Sequence, residues 1–313
     1  MATYAAKLRK TAIANGSIRL NSQGQISGGG VMEPFSSRGL DSIFYVDGNV
    51  VSGGDGRTWE TAFKTLAAGL AAAHSYMSTS ANRAWAHRAT VFCCGDNLEE
   101  NLVLGAEKTD VIGVGSSAGY TKCYLDGLHV PATTNTWGMR WFNMAFGSTT
   151  QGILFTLTSI SGGMEFHDCI FSSRGPAHTI AVKATAVGSL KIHDCKFEAA
   201  PADFSTAGID ILAGDAAQTE IMRSYIVGAV GIRINASTTT TAGNILINDC
   251  VIKSSGETIN DASSLAVVTN CRLITATNTT TVTAGYTGNQ YLWANNVLTG
   301  ASTCDEIPYR AQS

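Results

Sequence analysis

The chain of 313 residues has a net charge of −3 and 14% charged residues, against roughly 25% in an ordinary soluble protein. Lys7, Arg9 and Lys10 make up its one basic cluster, which argues against nucleic acid or an acidic membrane surface as a partner. The Ala-rich run 67–73 is too short to cross a bilayer.

In chain order, residues 1–40 come first. The stretch NGSIRLNSQGQISGGGVMEPFSSRG (15–39) has too few apolar residues to build a core. It reads as an extended arm that orders against a partner surface, with a disordered leader as the alternative. The opening MATYAAKLRKTAIANGS lacks the apolar core of a signal peptide, so synthesis in a cytosol is expected.

Next comes IFYVDGNVVSGGDGRTWETAFKTLAAGLAAA (43–73). Asp55-Gly56 is a turn signal and Thr58 a candidate N-cap, while Phe63, Leu66, Leu70, Ala73 and Met77 share one helical face. This predicts an amphipathic helix over about 60–77, suited to covering the open end of a repeat structure. ATVFCCGDNLEENLVL (89–104) and DVIGVGSSAGYTKCYLDG (110–127) then read as short strands joined by polar turns. The glycines of 113–119 precede a strand rather than a helix, so they do not read as a phosphate-binding loop. This entrance resembles that of right-handed parallel β-helix proteins of the pectin-lyase-like superfamily, and the resemblance covers about 40–300. It implies a right-handed parallel β-helix solenoid with a capping helix. It implies no activity, because that scaffold carries lyases, hydrolases, adhesins and viral structural proteins alike.

From residue 141 onward one phrase recurs: WFNMAF (141–146), FHDCIF (166–171), IHDCKF (192–197), IMRSYI (221–226), INDCVI (247–252), VTNCRL (268–273) and WANNVL (293–298). The period of about 21 to 29 residues is that of a solenoid. Each copy is a strand, a polar corner and a second strand. The corner residues are Asn143, Asp168, Asp194, Arg223, Asp249, Asn270 and Asn295. Most are Asn or Asp, which accept left-handed backbone geometry. Coils stacked roughly 4.8 Å apart would align equivalent residues in columns. One outward column is expected to read Arg140, Glu165, Lys191, Glu220, with signs alternating, and then Leu246, Val267 and Leu292. A second set of strands, 179–184, 208–213 and 231–236, is expected to align Ala181, Asp210 and Arg233 outward, with Ile180, Val182, Ile209, Ile211, Ile232 and Ile234 inward.

Cys169, Cys195, Cys250 and Cys271 occupy the same inward place as Met144, Ser224 and Asn296, so they read as a reduced, buried ladder. Cys93 and Cys94 are strand neighbours that face opposite ways, and Cys123 and Cys304 have no zinc-ligand spacing. No metal or other cofactor is expected. His167 and His193 repeat one coil apart, as a surface pair or as a metal or proton-transfer pair.

The candidate carboxylates for sugar chemistry are Asp210, Asp215, Glu220, Glu198 and Asp203. Asp210 is matched in register by Arg233 and Glu220 belongs to the alternating column, so no catalytic residue is expected. The expected organisation is an attachment arm (1–40), a β-helix domain (41–300) and a tail (301–313). A short, low-charge solenoid of this type resembles tailed-bacteriophage virion surface proteins. That resemblance implies a non-enzymatic capsid decoration or auxiliary protein, held on a major capsid protein or another virion protein by its arm. The alternative is a tailspike or fibre that binds or cleaves host surface glycan as a lyase or glycoside hydrolase. Leu246, Val267 and Leu292 are the interface candidates, in a homotrimer or beneath the folded-back tail.

Overall fold

The computed structural model describes residues 42–79, 87–95, 98–103, 105–115, 122–131, 137–172, 178–198, 203–212, 218–235, 245–261, 266–275, 292–294 and 297–299, together with strand pieces at 19–20 and 26–27. Within the expected arm, Arg19–Leu20 pairs antiparallel with Ile26–Ser27. The rest of 1–40, the tail 301–313, Asp215, Asn295, Asn296 and Cys304 lie outside the described residues.

The chain forms a parallel β-solenoid. A 13-stranded sheet stacks Ile43–Asp47, Ala89–Cys94, Thr109–Gly113, Met139–Phe142, Ile153–His167, Ile180–His193, Gln218–Met222, Ile245–Asn248, Ala266–Thr269 and Leu292–Ala294. A 9-stranded sheet stacks the second strand of each coil, from Leu98–Glu99 to Val297–Thr299. The large sheet forks at Ile180–His193. Its N-terminal half pairs Ala207–Leu212, which continues to Val230–Asn235 and Ile259–Asp261, while its C-terminal half pairs Gln218–Met222.

The corner between the two sheets takes the expected form. Asn143, Asp168, Asp194, Arg223, Asp249 and Asn270 all have φ between 47° and 57°, the left-handed region that costs an ordinary L-residue about 1–2 kcal/mol. In return, the corner N–H of each coil reaches the next: Asp168 N donates to His193 O at 3.0 Å, Asp194 N to Met222 O at 3.0 Å, and Arg223 N to Asn248 O at 3.0 Å. The residue after the corner continues the ladder with its carbonyl, as in Lys196 N to Cys169 O at 2.8 Å. Its side chain turns inward and donates to the carbonyl two residues earlier: Cys169 Sγ to His167 O at 3.3 Å, Cys195 Sγ to His193 O at 3.2 Å, and Ser224 Oγ to Met222 O at 2.8 Å. Cys169, Cys195, Cys250 and Cys271 are buried thiols that form no disulfide. Cys and Ser suit this place because they are small and carry a donor.

Inward columns fill the core. Phe146, Phe171 and Phe197 stack at 5.3 and 4.7 Å, with Trp141, Phe155 and Phe166 packed edge-on around Phe146 and Phe171. Later coils use aliphatics instead, such as Ile226, Ile252 and Leu273.

The capping helix α1 spans Leu66–Ser78 with Thr65 as N-cap, a correction to the expected 60–77 start and to Thr58. The backbone of Phe63 is extended and bonds to the first strand, Phe63 N to Tyr45 O and Asp47 N to Phe63 O, both at 2.9 Å. The helix therefore begins only after it. Thr58 instead closes the preceding turn, accepting Thr61 N at 3.3 Å. The first helical donors are taken by a residue from the next coil: Glu100 Oε1 accepts Leu66 N at 2.5 Å and Oε2 accepts Ala67 N at 2.8 Å. A carboxylate on a helix N-terminus satisfies orphan donors and meets the positive end of the helix dipole. Leu66, Gly69, Leu70, Ala73 and Met77 form the buried face.

In the branch, Asp210 aligns with Arg233 as expected, but the strand at 179–184 is offset from expectation by two residues. Lys183, not Ala181, aligns with Asp210 and Arg233, and Ala181 is buried. A two-residue slip keeps every side chain on its face, so the period-2 pattern alone did not specify the offset.

His129 lies wholly in the core, 4.7 Å from the Phe155 ring and 6.1 Å from Phe146. Its Nδ1 accepts Leu102 N at 3.3 Å, which leaves the proton on Nε2. Burial pushes this imidazole down to about 3. The unfolded chain binds that proton near pH 6.5, so the stability is complete above about 6.5 and is lost as pH falls toward 3, at about 1.4 kcal/mol per unit. Urea unfolding at pH 7 and pH 4.5 should show a pH-dependent loss that shrinks by about 2 kcal/mol in His129→Leu. An unchanged pH dependence would contradict the buried neutral assignment.

Candidate functional site on the outer face of the large sheet

Strand periodicity turns alternate residues of the large sheet toward solvent, and the parallel register stacks them. One column reads Asp110, Arg140, Glu165, Lys191, Glu220, Leu246, Val267 and Leu292, with neighbours paired as expected from Arg140 onward. Beside it, nearer the corner, runs a second column of Ile112, Phe142, His167, His193, Met222, Asn248 and Thr269. Leu246 and Val267 are half-buried, and only the backbone of Leu292 is described.

The charged column does not pair evenly. Arg140 turns back to Asp110, with Nε to Oδ1 and Nη2 to Oδ2 both at 2.7 Å. Asp110 also accepts Arg88 Nε at 2.9 Å, so one buried carboxylate holds two guanidiniums. Glu165 is left with Lys191 at 3.9 Å and with His167, whose Nε2 lies 2.9 Å from Oε2. Burial alone would raise the Glu165 carboxyl, but the His167 hydrogen bond and the Lys191 and Arg140 charges outweigh it and hold the group below the usual range. His167 stacks flat on Phe142 at 4.9 Å and meets His193 edge-on at 5.2 Å. His193 Nε2 lies 3.3 Å from Glu220 Oε2, close enough for an ion pair but not aligned as a hydrogen bond. Burial, with the neighbouring His167 adding to it, pushes His193 below the ordinary imidazole value.

At the corner, Lys122 is a residue that the sequence reading passed over. It ties three coils: Nζ contacts Asn143 Oδ1 at 3.1 Å, Asp168 O at 2.5 Å and Asp168 Oδ2 at 2.7 Å. Arg223 likewise grips Asp194 in bidentate fashion at 2.7 and 2.8 Å. Asp110 could have been found by extending the column one coil back to TDVIG (109–113). Nothing in the local sequence marks Arg88 or Lys122, whose partners lie 22 and 46 residues away.

Among the described candidates for sugar chemistry, Asp210, Glu198 and Glu220 do not converge. Asp210 belongs to the separate branch of the sheet and is saturated by Arg233 at 2.9 and 2.7 Å and Asn235 at 3.0 Å. Glu198 pairs with Lys196 at 2.5 Å on the other sheet. Glu220 alone joins the histidine pair. Among the described residues no group of three or more His, Cys, Asp and Glu side chains is arranged to hold a metal. Chemically, the face offers one hydrogen-bonded His–Glu pair and a neighbouring His–Glu contact, flanked by an aromatic ring.

No family model matches the chain, and no curated protein or solved structure gives a significant match. The class of molecule is therefore defined by its geometry, a parallel β-solenoid with one capping helix. No described helix is long and apolar enough to cross a membrane.

Burial separates two of the bidentate pairs, Arg233 with Asp210 and Arg223 with Asp194. The Asp210 side chain is 1% exposed, whereas that of Asp194 is 49% exposed. Asp210→Asn should cost about 2–3 kcal/mol, since it leaves Arg233 without its charge partner at a buried site. Asp194→Asn, which keeps a residue tolerant of the corner geometry, should cost less than about 1 kcal/mol. Equal losses in urea denaturation would contradict this ranking.

Proposed function

We propose that this chain is a non-enzymatic structural protein of a tailed-bacteriophage particle, a capsid decoration or auxiliary protein attached through residues 1–40. The observation that carries the non-enzymatic part is the state of the candidate carboxylates. Asp110 and Asp210 are locked in bidentate arginine pairs, and Glu165, Glu198 and Glu220 each have a cationic or imidazole neighbour. Such pairing serves to register one coil on the next. The virion assignment rests on the resemblance of a short, low-charge β-helix with a polar, Gly-rich arm to virion surface proteins. A homotrimer meeting along Leu246, Val267 and Leu292 completes the reading, with an apolar stretch where the column stops being charged.

The second reading is a tailspike or fibre that cleaves host polysaccharide. It is favoured by the His167–Glu165 hydrogen bond, which could move a proton, beside the Phe142 ring.

Mass spectrometry of purified particles should find the chain at a stoichiometric copy number. The isolated protein should release no reducing ends or unsaturated sugars from host capsule. Sugar release that is lost on Glu165→Gln or Glu220→Gln would replace the first reading with the second. Sedimentation should give a trimer that Val267→Asp converts to monomer, and a wild type already monomeric at micromolar concentration would remove the interface.

A further inference from the structure

We propose that Cys93, Cys123 and Met144 form a buried site for one soft monovalent cation, with copper(I) as the ion it would take. Cys93 points inward from Ala89–Cys94 of the large sheet, while Cys123 and Met144 are register partners in adjacent coils of the smaller sheet. Cys93 Sγ lies 3.9 Å from Cys123 Sγ and 3.3 Å from Met144 Sδ. All three residues are fully buried. This arrangement differs from the corner thiols, which turn to main-chain carbonyls 3.2–3.3 Å away.

Gly113, the register partner of Cys93, packs closely beside the sulfurs: a Cβ built there would stand 2.2 Å from Asn143 O, 2.9 Å from Met144 Sδ and 3.0 Å from Cys123 Cβ. The spacing fits: three sulfurs about 2.3 Å from a central ion lie about 4 Å apart in a trigonal plane. The thiol pair already has that separation, and the flexible Met144 thioether needs only a small outward swing to match it. Two thiolates and a thioether suit copper(I), whereas magnesium and calcium require oxygen ligands and structural zinc a fourth donor.

Binding exchanges protons for metal without any change of oxidation state. Both thiols lose a proton to solvent as two Cu–S bonds form, and the thioether donates a lone pair. Because binding releases two protons, uptake should weaken as pH falls.

The test is anaerobic titration of reduced full-length protein with tetrakis(acetonitrile)copper(I) against a copper(I)-selective chelator, in wild type, Cys123→Ser and Met144→Leu. Met144→Leu conserves volume and keeps the fold testable by thermal unfolding. Cys123→Ser should bind one ion fewer than wild type, and Met144→Leu should hold that ion at least about tenfold less tightly. X-ray absorption of the loaded wild type should show a sulfur-only shell. The proposal is overturned if Cys123→Ser binds as many ions as wild type, which would place copper at the corner thiols. It is equally overturned if oxidation joins Cys93 to Cys123 while the reduced protein takes up no copper.

Discussion

The structure depends on a backbone corner. At each described corner from Asn143 to Asn270 one residue adopts left-handed geometry so that the chain can leave one sheet and enter the other without interrupting the hydrogen bonds between coils. A turn of this kind normally strands donors and acceptors that water must satisfy, and a solenoid core has no water to offer. Here the corner N–H and the following carbonyl both bond to the next coil. The local strain is therefore compensated by a continuous ladder, and the Cys or Ser that follows adds a side-chain donor to the carbonyl that precedes the corner.

Everything else is arranged around this corner. The inward column on one side of it is Phe166, Ile192, Ile221 and Ile247, and on the other Phe171, Phe197, Ile226 and Ile252, so stacking coils stacks core. The outward columns inherit the same register, which is why charges placed about 25 residues apart in sequence become neighbours. Their pairing refines the register without creating it. Half-exposed pairs such as Arg223 with Asp194 contribute less than about 1 kcal/mol, whereas Asp110, buried beneath two arginines, is a fixed point of the lower coils.

The repeat made the solenoid legible in the sequence because a corner residue type and a period-2 apolar pattern both recur there, and each would fail under another fold. The columns from Arg140 to Val267 could be aligned from that phrase alone. In the branch Asp210 meets Arg233 as expected, but Ala181 was misplaced by two residues, since side-chain alternation cannot distinguish offsets of two. The helix start was misplaced because the sequence around Thr58 and Phe63 carries a helical apolar spacing, while the tertiary bond from Phe63 to the first strand holds the chain extended. Glu100, which takes two further donors at the helix N-terminus, comes from the neighbouring coil and has no local signature. The same limit hid Lys122 and the meeting of Cys93 with Met144, both products of coil stacking rather than of local pattern.

Because the left-handed corner is held to be the organising element, substitution at one corner that has little else to do tests it most directly. Asp249 is suitable: it is exposed, its φ is 54° and its side chain bonds only to Asn248 Nδ2 at 2.8 Å among the described contacts. Urea denaturation of Asp249→Gly and Asp249→Val should separate the two variants by about 2 kcal/mol or more, with Gly close to wild type, because a β-branched residue resists this conformation. Equal stability of the two variants would contradict the account.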